Sequence, residues 1–359
     1  MSTYSPVSIN DPEDFDVAGS GRLPFKRPLR GDARQIPLDA NCVDLVVTSP
    51  PYWRKRDYKV EGQIGQEPTP ELYVAAIGEA LAEWKRVLRP SGSVFLNIGD
   101  TYQDRSLVGI PSRIERMACE AGWSLRNRIV WVKKGGMPDP ARDRLASRHE
   151  YVLHLAVNGY FYDLYGYATH DEFGQKGANP GDVWEITPQL QKGKHLAPFP
   201  REIAKRAIVL ACPKEVCSVC GKPRRRILEA TADLDESRPQ ARRAIELARE
   251  KGLTAEHFEA IRATGISDAG KARLVQTGTD KNTERVQQLA KEAKLHLGGY
   301  FREFTFAKRR DVGWTSCLCG AEFIPGVVLD PFMGTGTTLD VAYDLGLSSY
   351  GVDLKGQTE

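Results

Sequence analysis

The 359-residue chain is 41% hydrophobic and 27% charged, and it holds no run near the roughly 18 apolar residues that span a bilayer. Its first residues, MSTYSPVSINDPEDFD, are acidic and lack an apolar core, which excludes a secretory signal and leads us to expect a cytoplasmic protein with no membrane partner. The formal net charge of +3 is unevenly spread, because residues 222–310 carry 20 Lys+Arg against 13 Asp+Glu. A basic segment on a slightly acidic body points to an acidic partner such as nucleic acid.

Residues 1–28, rich in Ser, Asp and Pro, read as a loose arm. VDLVVTS (43–49) is a short apolar run of the buried-strand type. Residues 70–89 have helical spacing, with Leu72, Ala76, Ala80, Trp84 and Leu88 in register, and Pro90-Ser91-Gly92 stops them. SVFLNIGD (93–100) is a second buried strand, 112–121 a helix, and SLRNRIVWVKK and EYVLHLAV are further strands. Residues 231–300 instead hold three amphipathic helical stretches separated by Gly-containing breaks. The alternation then resumes with the strand GVVLD, a helix over 336–346 and the strand SSYGVDL. This order predicts an α/β fold with a doubly wound sheet and an inserted helical module. The expected domains are the arm, a catalytic domain over 29–211 and 321–359, and an insert over 212–320.

Three segments have the composition of a site. Asp330-Pro331-Phe332-Met333-Gly334-Thr335-Gly336-Thr337-Thr338 follows a strand and opens a helix. Such a glycine-rich turn lets a ligand approach backbone N–H groups, at the strand end where open α/β sheets bind ligands. It lacks the GK[ST] of a P-loop. About 20 residues on, Asp353 in Tyr350-Gly351-Val352-Asp353 could accept hydrogen bonds from ribose hydroxyls. The third segment is Thr48-Ser49-Pro50-Pro51-Tyr52-Trp53, where two prolines stiffen a strand tip that carries an aromatic pair. Taken singly, these could be a tight turn, a surface Asp and a Pro-rich turn over core aromatics.

Together they resemble the amino-group DNA methyltransferases of bacteria and phages. Ser49-Pro50-Pro51-Tyr52 looks like the catalytic motif of that family and DPFMGTGTT like its cofactor motif. The order, catalytic motif first, is that of the circularly permuted β group. The resemblance implies a Rossmann-like methyltransferase sheet and S-adenosylmethionine as methyl donor. It assigns cofactor contacts to Asp32, His195, Phe199, Pro200, Asp330, Pro331, Phe332, Gly334, Gly336, Thr337, Thr338 and Asp353. It also implies that Ser49 Oγ and the Pro50 carbonyl accept hydrogen bonds from the target amine, that Tyr52 stacks on a flipped-out base and that Trp53 lines the base pocket. Ser at the first motif position favours cytosine N4, with adenine N6 as the alternative. No cysteine nucleophile is needed, so Cys42 and Cys119 read as core. Members of the family usually continue beyond the position of Asp353 into a helix beside the cofactor, whereas this sequence runs from there to Glu359.

Seven cysteines, an odd number, argue for metal rather than a disulfide framework. Cys217-Ser-Val-Cys220-Gly and Cys317-Leu-Cys319-Gly would together form a structural zinc site at the base of the insert, with Cys212 as a substitute ligand. Unliganded thiols or a redox pair are the other readings. Target recognition falls to the basic insert or to residues 133–193, which carry Lys133, Lys134, Arg142, Arg144 and Arg148. His149-Glu150 resembles a segment common in the family, and a strand-end polar pair is an equally good reading of it. The expected partner is double-stranded DNA; a homodimer and a separately acting cognate restriction endonuclease stay open. The rival readings are an RNA- or protein-directed methyltransferase and a non-catalytic zinc-containing DNA-binding protein.

Overall fold

The computed structural model describes residues 23–135, 141–157, 159–174, 177–188, 200–231, 233–265, 284–305 and 308–355. They divide into two compact units, one formed by Met1–Arg225 with Ser316–Glu359, the other by Arg226–Thr315.

The first unit is built on an eight-stranded sheet. Its strands are β1 (Lys26–Arg30), β2 (Val43–Thr48), β3 (Leu88–Ile98), β4 (Ser124–Lys133), β5 (His149–Ala156), β6 (Val183–Ile186), β11 (Val327–Asp330) and β12 (Ser348–Asp353). Their spatial order is β1-β12-β11-β2-β3-β5-β4-β6. All run parallel except β5, which is antiparallel to both neighbours. Side chains alternate between the two faces, as a strand requires. Val46, Val94, Leu96 and Ile98 enter one core with Tyr73, Ile77, Trp84, Ile110 and Ile114 of helices α1 (Pro70–Val87) and α2 (Ile110–Glu120). Leu45, Val47 and Phe95 enter the opposite core with α4 (Arg201–Ala211) and α9 (Thr337–Asp344). A short helix, α3 (Leu164–Ala168), adds Tyr167 to that second core. The sheet is therefore doubly wound.

Several local expectations shift. The strand β1 begins inside the supposed arm, pairing Lys26 with Ser349 through Arg30 with Asp353. An edge position tolerates its Pro28, because the missing N–H faces outward. In α1 the buried stripe is Tyr73, Ala76, Ile77, Ala80, Leu81, Trp84 and Val87, and Leu72 is exposed. Thr69 caps this helix, its hydroxyl accepting from the Leu72 N–H at 3.3 Å, and Pro70 takes the first turn, where no N–H is needed. Cys42 is buried as expected, whereas Cys119 is exposed on α2, because Ile110, Ile114 and Ala118 fill the inward face of that short helix. Among the described residues no helix is long and apolar enough to cross a membrane.

The second unit contains α5 (Pro239–Glu250), α6 (Ala255–Thr264), α7 (Glu284–Leu297) and the short α8 (Phe301–Thr305). They enclose a small core of Ala241, Ala244, Ile261, Ala293, Leu297 and Phe304. An antiparallel pair, β8 (Arg226–Ala230) and β9 (Arg309–Trp314), closes it. The inserted unit is narrower than 212–320, because β7 (Glu215–Cys217) and β10 (Phe323–Pro325) pair with each other and belong to the first unit.

One carboxylate ties the central strands together. Asp44 of β2 is 1% exposed and accepts from Arg89 of β3 at 2.5 Å and from the N–H of Val327 in β11 at 2.9 Å. Burial pushes the Asp44 carboxyl up, and Arg89 opposes that shift. Removing one partner of such a pair leaves an uncompensated buried charge. Asp44→Ala is expected to lower unfolding stability by about 3–5 kcal/mol in urea titration; a loss below about 1 kcal/mol would contradict this role.

Candidate functional site

The central strands β2 and β11 are neighbours, and the chain winds away from them in opposite directions. Open α/β sheets bind ligands at the carboxyl ends of strands at such a switch point. The two motif loops leave the sheet there.

The loop after β2 is held at several points. Thr48 is wholly buried, and its hydroxyl donates to Asp330 Oδ1 at 2.6 Å. The Tyr73 hydroxyl donates to the Pro51 carbonyl at 2.9 Å. Trp53 is 2% exposed, and its indole N–H donates to the Glu67 carbonyl at 2.9 Å. Trp53 thus braces the loop from the core rather than offering a face to a base. The Arg54 N–H meets the Gly65 carbonyl at 2.7 Å. Gly65 has φ of 108°, a conformation that side chains rarely adopt, and a Cβ there would come within 3.1 Å of Pro51. Ser49, Pro51 and Tyr52 stay half-buried, and Pro50 is buried.

A polar cluster lies behind Ser49 and Tyr52. The Tyr52 hydroxyl donates to Glu150 Oε2 at 2.6 Å. Asn97 Nδ2 donates to Tyr52 Oη at 2.8 Å, to Glu150 Oε2 at 3.1 Å and to Ser49 Oγ at 3.3 Å. Ser49 Oγ lies 3.5 Å from Tyr52 Oη. Lys133 Nζ bonds the other Glu150 oxygen, Oε1. Burial, then the Glu150 charge, pushes the Tyr52 hydroxyl well above its ordinary pKa, so it keeps its proton. Gly99 is required beside the ring, since a Cβ would lie 2.8 Å from Tyr52 Cε2. Glu150 reaches the site because β5 runs antiparallel and starts at the carboxyl edge of its neighbours. Asn97 carried a legible signal, a lone amide near the end of an otherwise apolar buried strand. By sequence alone Lys133 stands only among the recognition candidates, and Glu150 admits two readings.

The glycine-rich loop is held from beneath. Asp330 is 5% exposed. It accepts from Thr48, from the Thr338 hydroxyl at 2.7 Å and from the Phe332 N–H at 3.1 Å. Burial raises its carboxyl above the usual range, and these donors oppose the shift. Asp330 and the fully buried Thr338 therefore support the turn from below. Pro331 is buried, and the half-buried Phe332 packs edge-on to Trp84. Gly334 and Gly336 have φ of 50° and 81°, and nothing stands within 4 Å of where their Cβ atoms would be. Thr337, half-buried, opens α9. Asp353 ends β12 half-buried, Oδ1 accepting from the Lys355 N–H at 2.9 Å. Next to it Gly31 donates to the Asp353 carbonyl at 3.1 Å. The Asp32 carboxylate is engaged by Arg34 at 2.7 Å and 3.0 Å. Pro200 caps α4, and His195 and Phe199 lie outside the described residues.

Away from this edge, four cysteines converge. The sulfurs of Cys217, Cys220, Cys317 and Cys319 lie within 4.8 Å of one another. Pairing of β7 with β10 sets Phe323 opposite Cys217 and brings the two halves together. Gly221 and Gly320 follow the second cysteine of each half with φ of 64°. The Cys220 N–H, and that of Val219 with it, holds the Cys217 thiol down to about 6. Cys212 is buried apart from the group, with its Sγ 3.7 Å from the Pro213 carbonyl, so it is no substitute ligand.

The profile of a family described as DNA methylase matches residues 43–216. The Type II methyltransferase M.SmaI of Serratia marcescens is 32% identical over 214 residues, 50% of this chain and 73% of that protein. M.XycI of Xanthomonas campestris pv. cyanopsidis, also a Type II methyltransferase, is 33% identical over 210 residues, 50% of this chain and 70% of its own length. Among solved structures, PvuII DNA methyltransferase, described as cytosine-N4-specific, aligns over 93% of this chain and 85% of its own with a TM-score of 0.50. At 14% identity that likeness concerns the fold. The matched segment covers β2 with its Ser-Pro-Pro-Tyr tip, and with these relatives it places the chain in the N6/N4 family of DNA methylases: the protein is a DNA amino-methyltransferase.

Proposed function

We propose that the protein transfers a methyl group from S-adenosylmethionine to the exocyclic N4 of cytosine in a base flipped out of double-stranded DNA. The observation that carries this reading is the Thr48–Asp330 hydrogen bond of 2.6 Å, which fixes the Ser49 loop beside the glycine-rich turn. The turn suits the cofactor: open space lies above Gly334 and Gly336, and Asp353 stands at the next strand tip, where ribose hydroxyls would be met. S-adenosylmethionine, when bound there, supplies an electrophilic methyl group.

The protein's own task is to make the base amine nucleophilic. The lone pair of that amine is delocalised into the ring. Hydrogen bonds accepted by Ser49 Oγ and the Pro50 carbonyl would turn the amine out of conjugation and aim its lone pair. Two prolines and the Tyr73 bond keep these acceptors in place, so little reorganisation is needed at reaction. The target atom is inaccessible within a duplex, so the base must leave the stack. Ser rather than Asp at position 49 supports cytosine over adenine. The strand carrying the catalytic motif precedes the one carrying the glycine turn, although they adjoin in the sheet; we read this as a circular permutation. Base recognition falls to the basic inserted unit or to the residues between β4 and β6.

The cysteine group fits a structural zinc ion. Tetrahedral Zn–S bonds of about 2.3 Å place sulfurs about 3.8 Å apart, which is compatible with four sulfurs that all lie within 4.8 Å of one another. All four ligands would be thiolates, leaving no open position for chemistry. The ion would lock the two chain crossings that flank the inserted unit.

Three outcomes follow. Labelled methyl from S-adenosylmethionine is expected to appear in unmethylated DNA as N4-methylcytosine by nucleoside mass spectrometry. Ser49→Ala should lower that transfer about 100- to 1,000-fold with cofactor affinity retained. N6-methyladenine would reassign the base, and full activity without Ser49 would sink the catalytic role. Zinc is expected to copurify at about one per chain, and its removal by chelator to lower thermal stability; a metal-free protein of unchanged melting temperature would exclude the site.

A further inference from the structure

We propose that Glu150 is a positioning residue that sets the hydrogen-bond polarity of the catalytic loop, so that Ser49 presents a lone pair rather than a proton to the target amine. This rests on the role proposed for Ser49. An ionised carboxylate only accepts hydrogen bonds, and an amide nitrogen only donates them. The Tyr52 proton must therefore point at Glu150 Oε2, 2.6 Å away. That leaves Tyr52 Oη as an acceptor on its other side, where Asn97 Nδ2 lies at 2.8 Å and Ser49 Oγ at 3.5 Å. The Ser49 proton can then turn inward to Tyr52. A Ser49 lone pair faces outward, where an amine N–H can reach it. Asn97 is itself held in this orientation, since its oxygen in place of Nδ2 would face the Glu150 carboxylate at 3.1 Å.

Lys133 makes the arrangement directional. It occupies Glu150 Oε1 and requires an acceptor there. In Glu150→Gln the amide oxygen would have to stay on Lys133. The Gln NH₂ would then face Tyr52 Oη and Asn97 Nδ2, donor against donor. Tyr52 could no longer donate in that direction, and its proton would turn towards Ser49. The Ser49 proton would be displaced into the site, where an acceptor is needed. Sheet topology is what makes this possible, because β5 delivers the first turn of its sequence, not its last, to the reactive edge.

The test is a mutant cycle on methyl transfer to DNA, with wild type, Glu150→Gln, Glu150→Asp, Tyr52→Phe and the Glu150→Gln/Tyr52→Phe double variant. Glu150→Gln is expected to lower kcat about 10- to 100-fold. The KM for DNA and the Kd for S-adenosylmethionine should stay within about threefold. Adding Glu150→Gln to Tyr52→Phe should cost nothing further, because the path between Glu150 and Ser49 is already cut. Glu150→Asp, which keeps an acceptor, should recover part of the rate. Wild-type kcat in Glu150→Gln would overturn the proposal. So would fully multiplicative losses in the double variant, or an Asp variant no faster than the Gln variant. A wild-type protein that methylates no DNA would instead overturn the proposed function, and this proposal with it.

Discussion

A single buried carboxylate, Asp330, decides where both motif loops stand. It takes Thr48 from the neighbouring strand, Thr338 from the helix that follows and the Phe332 N–H from its own turn. Neither loop can shift without breaking a buried hydrogen bond, which leaves a desolvated group unpaired at a cost of about 1–3 kcal/mol. Group transfer depends on such fixed spacing, since a displacement of about 1 Å between reacting groups can lower the rate about 100-fold. Asp44 performs the matching structural task lower in the sheet, where it joins β2, β3 and β11 through Arg89 and the Val327 N–H. The two carboxylates pin β2 and β11 at their starts and at their reactive ends.

Much of this was legible in the sequence because the signals are local. Buried parallel strands read as apolar runs, and glycines that need positive φ sit where a turn must approach a ligand. The helices of the inserted unit show their spacing plainly, and their observed bounds differ by a few residues. What escaped was tertiary. The strand β1 is half exposed and carries Pro28, so nothing in its composition separates it from an arm; only its pairing with β12 does. Trp53 follows a loop motif and looked like a pocket wall, but the return limb through Gly65 and Glu67 folds over it. Asp330 and Thr338 stand in a motif whose glycines face outward, and their own burial depends on Thr48, 282 residues from Asp330.

The cluster behind Tyr52 shows the same limit most clearly. Glu150, Asn97 and Lys133 come from three strands, and no spacing rule relates them. They meet because one strand of eight runs against the others. The cysteines are the opposite case. Their paired spacings and following glycines were readable, and the β7–β10 pairing brings the halves together as that pattern requires. The possible substitute ligand, Cys212, stands apart from the four sulfurs that converge.

The measurement that bears most directly on the central claim is a crystal structure with sinefungin, the cofactor analogue that carries an amine in place of the methylsulfonium. The account predicts the analogue over Gly334 and Gly336, its ribose at Asp353, and the amine within about 6 Å of Ser49 Oγ, leaving room for one base nitrogen between them. An analogue bound elsewhere, or one whose amine points away from Ser49 across the Thr48–Asp330 bond, would contradict it.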